Sequence, residues 1–133
     1  FKNLSIQTYK KNPLLKIYGT NYSTTDGSCI RDFIHVSDIA EIHAKVLEKI
    51  DKINKSKILN CGYSKGISVK QVAKKFLKYS KNNAKIIEAP RRKGDLVQII
   101  AATKTLRNFI KWRPRFNKLD VMVKSSLKWE KNL

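Results

Sequence analysis

Short apolar runs alternate along the chain with longer stretches whose apolar residues recur every three or four positions. The short runs lie at 14–19, 30–36, 57–62, 84–90 and 96–101. Runs of this length that are bounded by Gly, Pro or polar residues are typical of strands or extended segments. Residues 20–29 are polar and turn-rich, so we expect a loop there. Strands interleaved with helices predict an α/β fold.

The first long amphipathic stretch follows the run at 30–36. Ser37 and Asp38 offer an N-cap and a first-turn acid, which predicts that a helix starts here. Helical spacing then predicts one apolar face, formed by Ile39, His43, Val46, Leu47 and Ile50.

Three further segments carry helical signals. Ser68 and Gln71 have the spacing of a capping box. The apolar face behind this box is Val69, Val72, Ala73, Phe76 and Leu77. Thr103 is placed to cap a short helix that ends before Pro114, and a last helix is predicted from about Lys118. Residues 1–11 are interpreted as the end of an element, which suggests a fragment of a longer chain.

The net charge of +19 would ordinarily indicate nucleic acid or an anionic membrane as a partner. However, the excess is almost all lysine, and the lysines are spread from Lys2 to Lys131 without a long block. We therefore interpret the charge as a solvated lysine coat and expect any nucleic-acid binding to be non-specific. No apolar run is long enough for a membrane span, so no membrane partner and a cytoplasmic location are expected.

Residues that carry chemistry by themselves are few. Cys29 and Cys61 lie far apart and, with His35 and His43, do not show metal-ligand spacing, so no metal site is predicted. Both histidines are interpreted as packing residues. The sequence contains no GxGxxG turn, no P-loop and no defensible Ser-His-Asp order.

Two arginine-bearing turns remain as candidates for binding. One is Arg31-Asp32, and the other is the stretch 91–95, which reads RRKGD. The planar fork of arginine suits bidentate contact with phosphate oxygens, and a nearby aspartate can orient the arginine or accept hydrogen bonds from sugar hydroxyls. Two such turns could hold a diphosphate with a ribose attached, although a pair of surface turns with salt bridges would look the same.

At this point the sequence resembles a known family. The segment YGTNYSTTDGSCIRDFIHVSDIAEIHAKVLE (18–48) is similar to the C-terminal region of the UDP-glucose 4-epimerases, which are extended short-chain dehydrogenase/reductases. KILNCGYSKGISVKQVA (57–73) and EAPRRKGDLVQIIAATKTLRNFIKWRPRF (88–116) follow in the order that the family has them. The resemblance runs from about Leu15 to the end of the chain.

The resemblance implies a set of UDP-sugar-binding positions. They fall at Lys16, Tyr18, Arg31, Phe33, Val69, Arg92 and Asp95. In the family, the strand that contains the first two holds the uracil, mainly through backbone groups. Both arginines correspond to residues that grip the diphosphate, and Asp95 corresponds to the acceptor for the ribose hydroxyls.

The remaining positions carry smaller roles or departures. Val69 matches an apolar residue near the base. Phe33 stands where the family usually has tyrosine, so only packing is carried over for it. Ala102 replaces a common aspartate, and Ile110-Lys111 replaces a usual Leu-Gly.

The family's glycine-rich NAD turn and its catalytic Tyr-x-x-x-Lys are not found in these 133 residues. The resemblance therefore implies that residues 1–133 are the UDP-sugar-binding C-terminal region, that NAD is bound by an N-terminal Rossmann part, and that no catalytic residue lies here. The full-length enzyme would interconvert UDP-galactose and UDP-glucose through a 4-keto intermediate, as a homodimer, and this piece alone would be inactive. The alternatives are another nucleotide sugar, such as a UDP-N-acetylhexosamine or a UDP-uronate, or a basic nucleic-acid-binding module.

Overall fold

The computed structural model describes residues 1–80 and 83–133. Helices α1 to α5 span Lys2–Thr8, Val36–Leu47, Val69–Tyr79, Lys104–Ile110 and Leu119–Lys131. Strands β1 to β5 span Leu14–Tyr18, Ile30–Arg31, Ile67–Ser68, Lys85–Ala89 and Gln98–Ile99. A 3-10 turn at Ile50–Lys52 follows α2. The predicted α/β class is confirmed.

The described strands form two small sheets. In the first, β1 and β4 run parallel, from Leu14 opposite Lys85 to Tyr18 opposite Ala89. In the second, β2 lies between β3, which is antiparallel to it, and β5, which is parallel to it. Because parallel neighbours end at the same edge, the residues that follow β1 and β4 are brought side by side.

Alternation along β1 sets which face is buried. Leu15 and Ile17 are fully buried, whereas Lys16 is exposed and Tyr18 half-buried on the opposite face. Two apolar clusters form the core. One contains Ile42, Tyr63, Leu106, Ile110, Trp112 and Met122, and the other contains Leu15, Val72, Phe76, Val123 and Leu127. The capping box of α3 is confirmed, with the Ser68 side chain accepting from the Gln71 backbone and the Gln71 side chain accepting from the Ser68 backbone.

The predicted start and apolar face of α2 are corrected. His35 is the N-cap, because its Nδ1 accepts the N–H of Ser37 at 3.1 Å, so Ser37 lies inside the first turn. The buried residues of the helix are Asp38 and Ile42, while His43 is exposed. The buried face of α2 therefore lies one residue earlier than the apolar pattern predicted, because Asp38 is buried on it.

The predicted strand at 57–62 is wrong. These residues are irregular, and Ile58 is 92% exposed. Within residues 1–80 and 83–133 no strand pairs with them, and an apolar run without a pairing strand has no ladder to join.

Thr103 stands at the N-cap of α4 but makes no capping bond. Its hydroxyl instead lies 2.7 Å from the Ser64 hydroxyl. Strand β5 is shorter than the predicted run at 96–101, and the apolar side chains around it remain exposed. This apolar strip consists of Leu96, Val97, Ile99 and Ile100. Within the described ranges, no helix is long and apolar enough to cross a membrane.

Candidate functional site

The candidate site begins where β1 and β4 end. The ladder continues one step past β1, because the Gly19 N–H donates to the Ala89 carbonyl at 2.8 Å. Gly19 has a φ of +76°, and a Cβ there would lie 2.4 Å from the Tyr22 ring and 2.7 Å from Cγ of Arg91. Only glycine permits both this conformation and this close approach. The chain therefore turns tightly at the sheet edge, under the residues that follow β4.

Two adjacent arginines after β4 turn toward different tyrosines. The Arg92 guanidinium lies 3.8 Å from the ring centre of Tyr18, and the Arg91 guanidinium lies 4.0 Å from that of Tyr22. Arg91 also donates from Nε to Oδ1 of Asn21 at 2.6 Å and from Nη2 to the Asn21 carbonyl. Arg92 has no ion pair with a carboxylate of the described residues. Of the two, Arg92 keeps its N–H groups available.

Arg31, at the end of β2, is fixed by backbone oxygens and one carboxylate. Its Nη1 donates to the carbonyls of Ile30 and Leu96 at 2.8 and 2.9 Å. Its Nη2 lies 3.4 Å from Oδ1 of Asp95, with both side chains partly exposed. These contacts hold the guanidinium in one orientation and leave Nε–H without a partner among the described residues. A preoriented guanidinium with an unused donor suits an anionic ligand.

One turn connects the two arginine positions. The Asp95 N–H donates to the Arg92 carbonyl at 3.3 Å, and Gly94 between them has a φ of +83°. The same short segment thus carries the arginine that stacks on Tyr18 and the aspartate that pairs with Arg31. The structure brings the two predicted arginine turns together through the Arg31–Asp95 contact.

The loop between β1 and β2 is organised by Asp26. Its carboxylate accepts from the N–H and hydroxyl of Ser28 at 3.0 and 2.7 Å, and from the hydroxyl of Ser68 at 2.5 Å. Partial burial raises the pKa of Asp26, but the hydrogen bonds from Ser68 and Ser28 outweigh it, so the net pKa is lowered. A Cβ at Gly27 would lie 2.0 Å from the Thr20 carbonyl oxygen, so the loop is closely packed against itself.

Three more of the predicted site residues lie around this framework. The Val69 N–H donates to the Cys29 carbonyl at 3.0 Å, which ties the start of α3 to the end of the loop. Lys16 is exposed on the face of β1 that also carries Tyr18. Phe33 instead packs against both apolar clusters, with its ring centre 5.0 Å from that of Phe1. The recorded contacts of Phe33 are therefore packing contacts.

Asp32 does not orient Arg31, contrary to one reading of the Arg-Asp pair. Its carboxylate accepts the N–H groups of Tyr63 and Ser64 at 2.9 Å and of Ala101 at 3.2 Å. The carboxylate that meets Arg31 is that of Asp95, 64 residues after Arg31 along the chain. Nothing in the local sequence indicates this exchange of partners.

The carboxylate of Asp38, in the first turn of α2, is fully buried. Oδ2 of Asp38 accepts from the Tyr63 hydroxyl at 2.5 Å and from the Phe116 N–H at 3.0 Å, and Oδ1 accepts from the Arg115 N–H at 3.1 Å. Burial and the bond to Asp38 raise the pKa of Tyr63 well above its usual range. The phenol therefore stays protonated and acts as a structural donor.

His35 and Ser125 are adjacent but cannot act as a base and nucleophile. The Nδ1 of His35 accepts the Ser37 N–H, so the proton of the neutral ring is on Nε2. Nε2 lies 2.9 Å from Oγ of Ser125 and donates to it. A histidine that donates to a serine cannot also take the proton of that serine. The described residues also contain no cluster of three or more groups that could hold a metal ion.

Residues 4–62 match the family model described as NAD dependent epimerase/dehydratase family. Over those residues the chain is similar to members of this family. Two curated relatives illustrate the match. The UDP-glucose 4-epimerase of Azospirillum brasilense is 40% identical over 123 residues, which is 92% of this chain and 35% of the relative. UDP-arabinose 4-epimerase 1 of Arabidopsis thaliana is 35% identical over 119 residues, which is 90% of this chain and 28% of the relative.

The fold is also that of a solved 4-epimerase. The UDP-Glc/GlcNAc 4-epimerase of Campylobacter jejuni superposes with a TM-score of 0.87 and 39% identity, over 99% of this chain and 40% of that one. The chain therefore spans about a third of the length of the curated relatives.

Proposed function

We propose that these residues form the UDP-sugar-binding part of an NAD-dependent UDP-glucose 4-epimerase, which interconverts UDP-glucose and UDP-galactose. The observation that carries the proposal is the joint placement of two arginines. Arg92 is stacked on Tyr18, the last residue of β1 in the first sheet. Arg31, the last residue of β2 in the second sheet, is paired with Asp95. The names of the relatives supply the substrate class, since each of them acts on a UDP-sugar.

The two arginines are proposed to bind the diphosphate. The unused Nε–H of Arg31 and the N–H groups of Arg92 point to anionic oxygens as ligands, because guanidinium groups prefer phosphate over neutral acceptors. Asp95 is proposed to accept from the ribose hydroxyls with the carboxylate oxygen that does not face Arg31. Lys16 and Tyr18 would hold the uracil through β1, with Val69 beside it, while Phe33 supports the site only by packing.

The chemistry in this proposal needs NAD, which when bound would accept a hydride from C4 of the sugar, while a base outside these 133 residues would take the proton of the 4-hydroxyl group. The 133 residues contain no glycine-rich dinucleotide turn, so no step through NAD is assigned to them. Their own part is to hold UDP while the hexose turns. Binding energy from the remote nucleotide then serves to orient the reacting carbon.

The identity of the sugar is the open choice within the proposal. The Campylobacter jejuni relative is described as acting on UDP-Glc and UDP-GlcNAc, and the Arabidopsis relative on UDP-arabinose. A panel of UDP-glucose, UDP-N-acetylglucosamine, UDP-glucuronate and UDP-arabinose, offered to the full-length protein with NAD, decides among them. We expect the highest kcat/KM with UDP-glucose. A higher value for another sugar reassigns the substrate, and no turnover of any of them overturns the proposal.

The 133-residue chain by itself is expected to show no epimerase turnover with added NAD, since no catalytic base or dinucleotide turn is assigned to it. Conversion of UDP-galactose to UDP-glucose by this purified chain would contradict that expectation.

A further inference from the structure

We propose that Arg91 is a positioning residue that clamps the loop between β1 and β2, and thereby sets the nucleotide affinity of its neighbours without touching the nucleotide. The inference rests on the proposed function, because the affinity concerned is that for UDP. It assigns separate tasks to two adjacent arginines of equal charge, Arg91 and Arg92.

The clamp consists of three contacts to two consecutive loop residues. Nε of Arg91 donates to Oδ1 of Asn21 at 2.6 Å, and Nη2 donates to the Asn21 carbonyl. The guanidinium plane covers the Tyr22 ring at 4.0 Å. Side chain, backbone and ring of the loop are therefore all held by one guanidinium. Lysine could not reproduce this set, because an ammonium has neither the planar fork nor the stacking face.

The stem of Arg91 also packs against the point where β1 becomes the loop. Its Cγ lies 2.7 Å from the position that a Cβ of Gly19 would occupy. Tyr22, which is only 5% exposed, fills the other side of the same space. Its hydroxyl is buried without a hydrogen-bond partner among the described residues, so Tyr22 is kept inside by packing and by the arginine above it. Removing Arg91 uncovers this ring.

The other half of the loop has its own attachment. The Asp26 carboxylate accepts from the Ser68 hydroxyl, and the Ser28 hydroxyl accepts the Lys70 N–H of α3 at 3.0 Å. The half nearer β1 is held by the Tyr22–Gly27 backbone bond at 2.8 Å, by the Thr20 hydroxyl, which donates to Glu88 at 3.0 Å, and by Arg91. Loss of the clamp therefore loosens Asn21 and Tyr22 while the second half of the loop stays attached.

The two ends of this loop explain how contacts made by Arg91 within the loop can affect the proposed UDP-binding residues. The loop starts directly after Tyr18 and ends directly before β2, which contains Arg31. Cys29, its last residue, holds the N–H of Val69. Freedom in the loop is transmitted to residues at both ends, and a ligand that needs them fixed must order them at a cost in affinity.

The test uses the full-length protein that carries this sequence, with UDP as the probe. The variants are Arg91→Ala, Arg91→Lys, Asn21→Ala and the double variant of Arg91→Ala with Asn21→Ala. Lys93→Ala is the matched control, because it removes an equal charge from the same exposed turn. Hydrogen exchange at the Tyr22 and Gly27 amides is measured without ligand, and UDP affinity is measured by calorimetry.

We expect faster exchange at both amides and about three- to tenfold weaker UDP binding in Arg91→Ala, the scale of ordering one mobile group. Asn21→Ala removes no charge and should give a similar loss. The double variant should be no worse than either single variant, because both remove the same clamp. Arg91→Lys should recover little of the UDP affinity that Arg91→Ala loses. In Arg91→Ala, KM for the UDP-sugar should rise while kcat is unchanged.

Four results would overturn the clamp. They are unchanged exchange in Arg91→Ala, unchanged affinity in Asn21→Ala, equal losses in Lys93→Ala and Arg91→Ala, and full recovery by Arg91→Lys. If wild-type protein does not bind UDP, the proposed function fails, and with it the effect of the clamp on affinity. The exchange measurement still decides separately whether Arg91 orders the loop.

Discussion

Asp38 and Asp95 are both aspartates that meet positively polarised groups, but they lie in opposite surroundings. Asp38 is fully buried and both of its oxygens accept hydrogen bonds from Tyr63, Arg115 and Phe116. The Asp95 carboxylate is partly exposed, and its one contact among the described residues is with Arg31, at 3.4 Å. In the first region both carboxylate oxygens and the Tyr63 hydroxyl have protein partners, so these contacts serve stability. In the second, donors and acceptors are left over, and these are what a ligand can use.

The largest effect is expected from the buried region. Asp38→Ala leaves the buried Tyr63 hydroxyl and the part-buried N–H groups of Arg115 and Phe116 without their acceptor, and a fully buried unsatisfied group costs about 1–3 kcal/mol. We expect a total loss of about 3 kcal/mol in the free energy of unfolding, measured by urea denaturation. Asp51→Ala, at an exposed position in the 3-10 turn after α2, is the control and should change stability little. Equal losses of unfolding free energy in Asp38→Ala and Asp51→Ala would show that the buried carboxylate contributes no more to stability than an exposed one.

The second prediction concerns the region with unused donors. Arg31→Ala and Arg92→Ala should each weaken UDP binding by about 1.5–3 kcal/mol, the range for a hydrogen bond to a charged group. Their effect on unfolding should be smaller than that of Asp38→Ala. Lysine at either position should restore only part of the affinity, because charge returns without the fork. Unchanged calorimetric affinity in Arg31→Ala would show that the diphosphate is bound elsewhere.

Asp26 lies between the two extremes, since it is well bonded but only half-buried. Its lowered pKa means that the bonded carboxylate contributes stability above the unfolded pKa near 3.8. That contribution is lost as the pH falls through the lowered folded value. Wild-type protein should therefore lose stability more steeply below about pH 4 than Asp26→Asn does, by urea unfolding across the acid range. Parallel pH profiles for the two proteins would contradict this assignment.

The smallest effect is expected at Lys111, beside the buried region. This residue follows α4 with a φ of 48° and a ψ of 34°, a left-handed conformation that glycine adopts without strain. Lys111→Gly should raise the free energy of unfolding by about 0.5–1 kcal/mol, since relief of strain exceeds the added freedom of the unfolded chain. Lys74→Gly, in the exposed middle of α3, should lower it by about 0.8 kcal/mol. A loss in both variants would mean that the side chain of Lys111 contributes more than its strain costs.

Features encoded in neighbouring residues could be predicted from the sequence. The Ser68–Gln71 capping box depends on residues three positions apart, and the strand predicted at 14–19 depends on a local apolar run; the structure has both, the strand as Leu14–Tyr18. The N-cap at His35 was missed because histidine is not among the residues that usually mark an N-cap, although its bond to Ser37 is local. The burial of Asp38 could not be predicted, because it depends on Tyr63 and on residues 115–116, far along the chain.

The candidate site shows the same limit. The resemblance to the family supplied Arg31, Arg92 and Asp95 as positions, and their role in binding UDP remains a prediction. The partner of Arg31 could not be predicted from the sequence, because Asp32 is the nearest carboxylate along the chain. In the structure Asp32 instead accepts backbone N–H groups. The division of labour between Arg91 and Arg92 likewise depends on which tyrosine each one meets.

The exposed apolar strip beside β5 and the lysine coat have opposite effects on association between copies of the chain. Exposed apolar side chains next to an open strand edge favour pairing between copies. Every copy carries a net charge of +19, and mutual repulsion opposes that encounter. The range of this repulsion shrinks from about 30 Å at 0.01 M salt to about 8 Å at 0.15 M. The lysines thus act as a colloidal stabiliser, and the chain purified alone should precipitate more readily as salt is added.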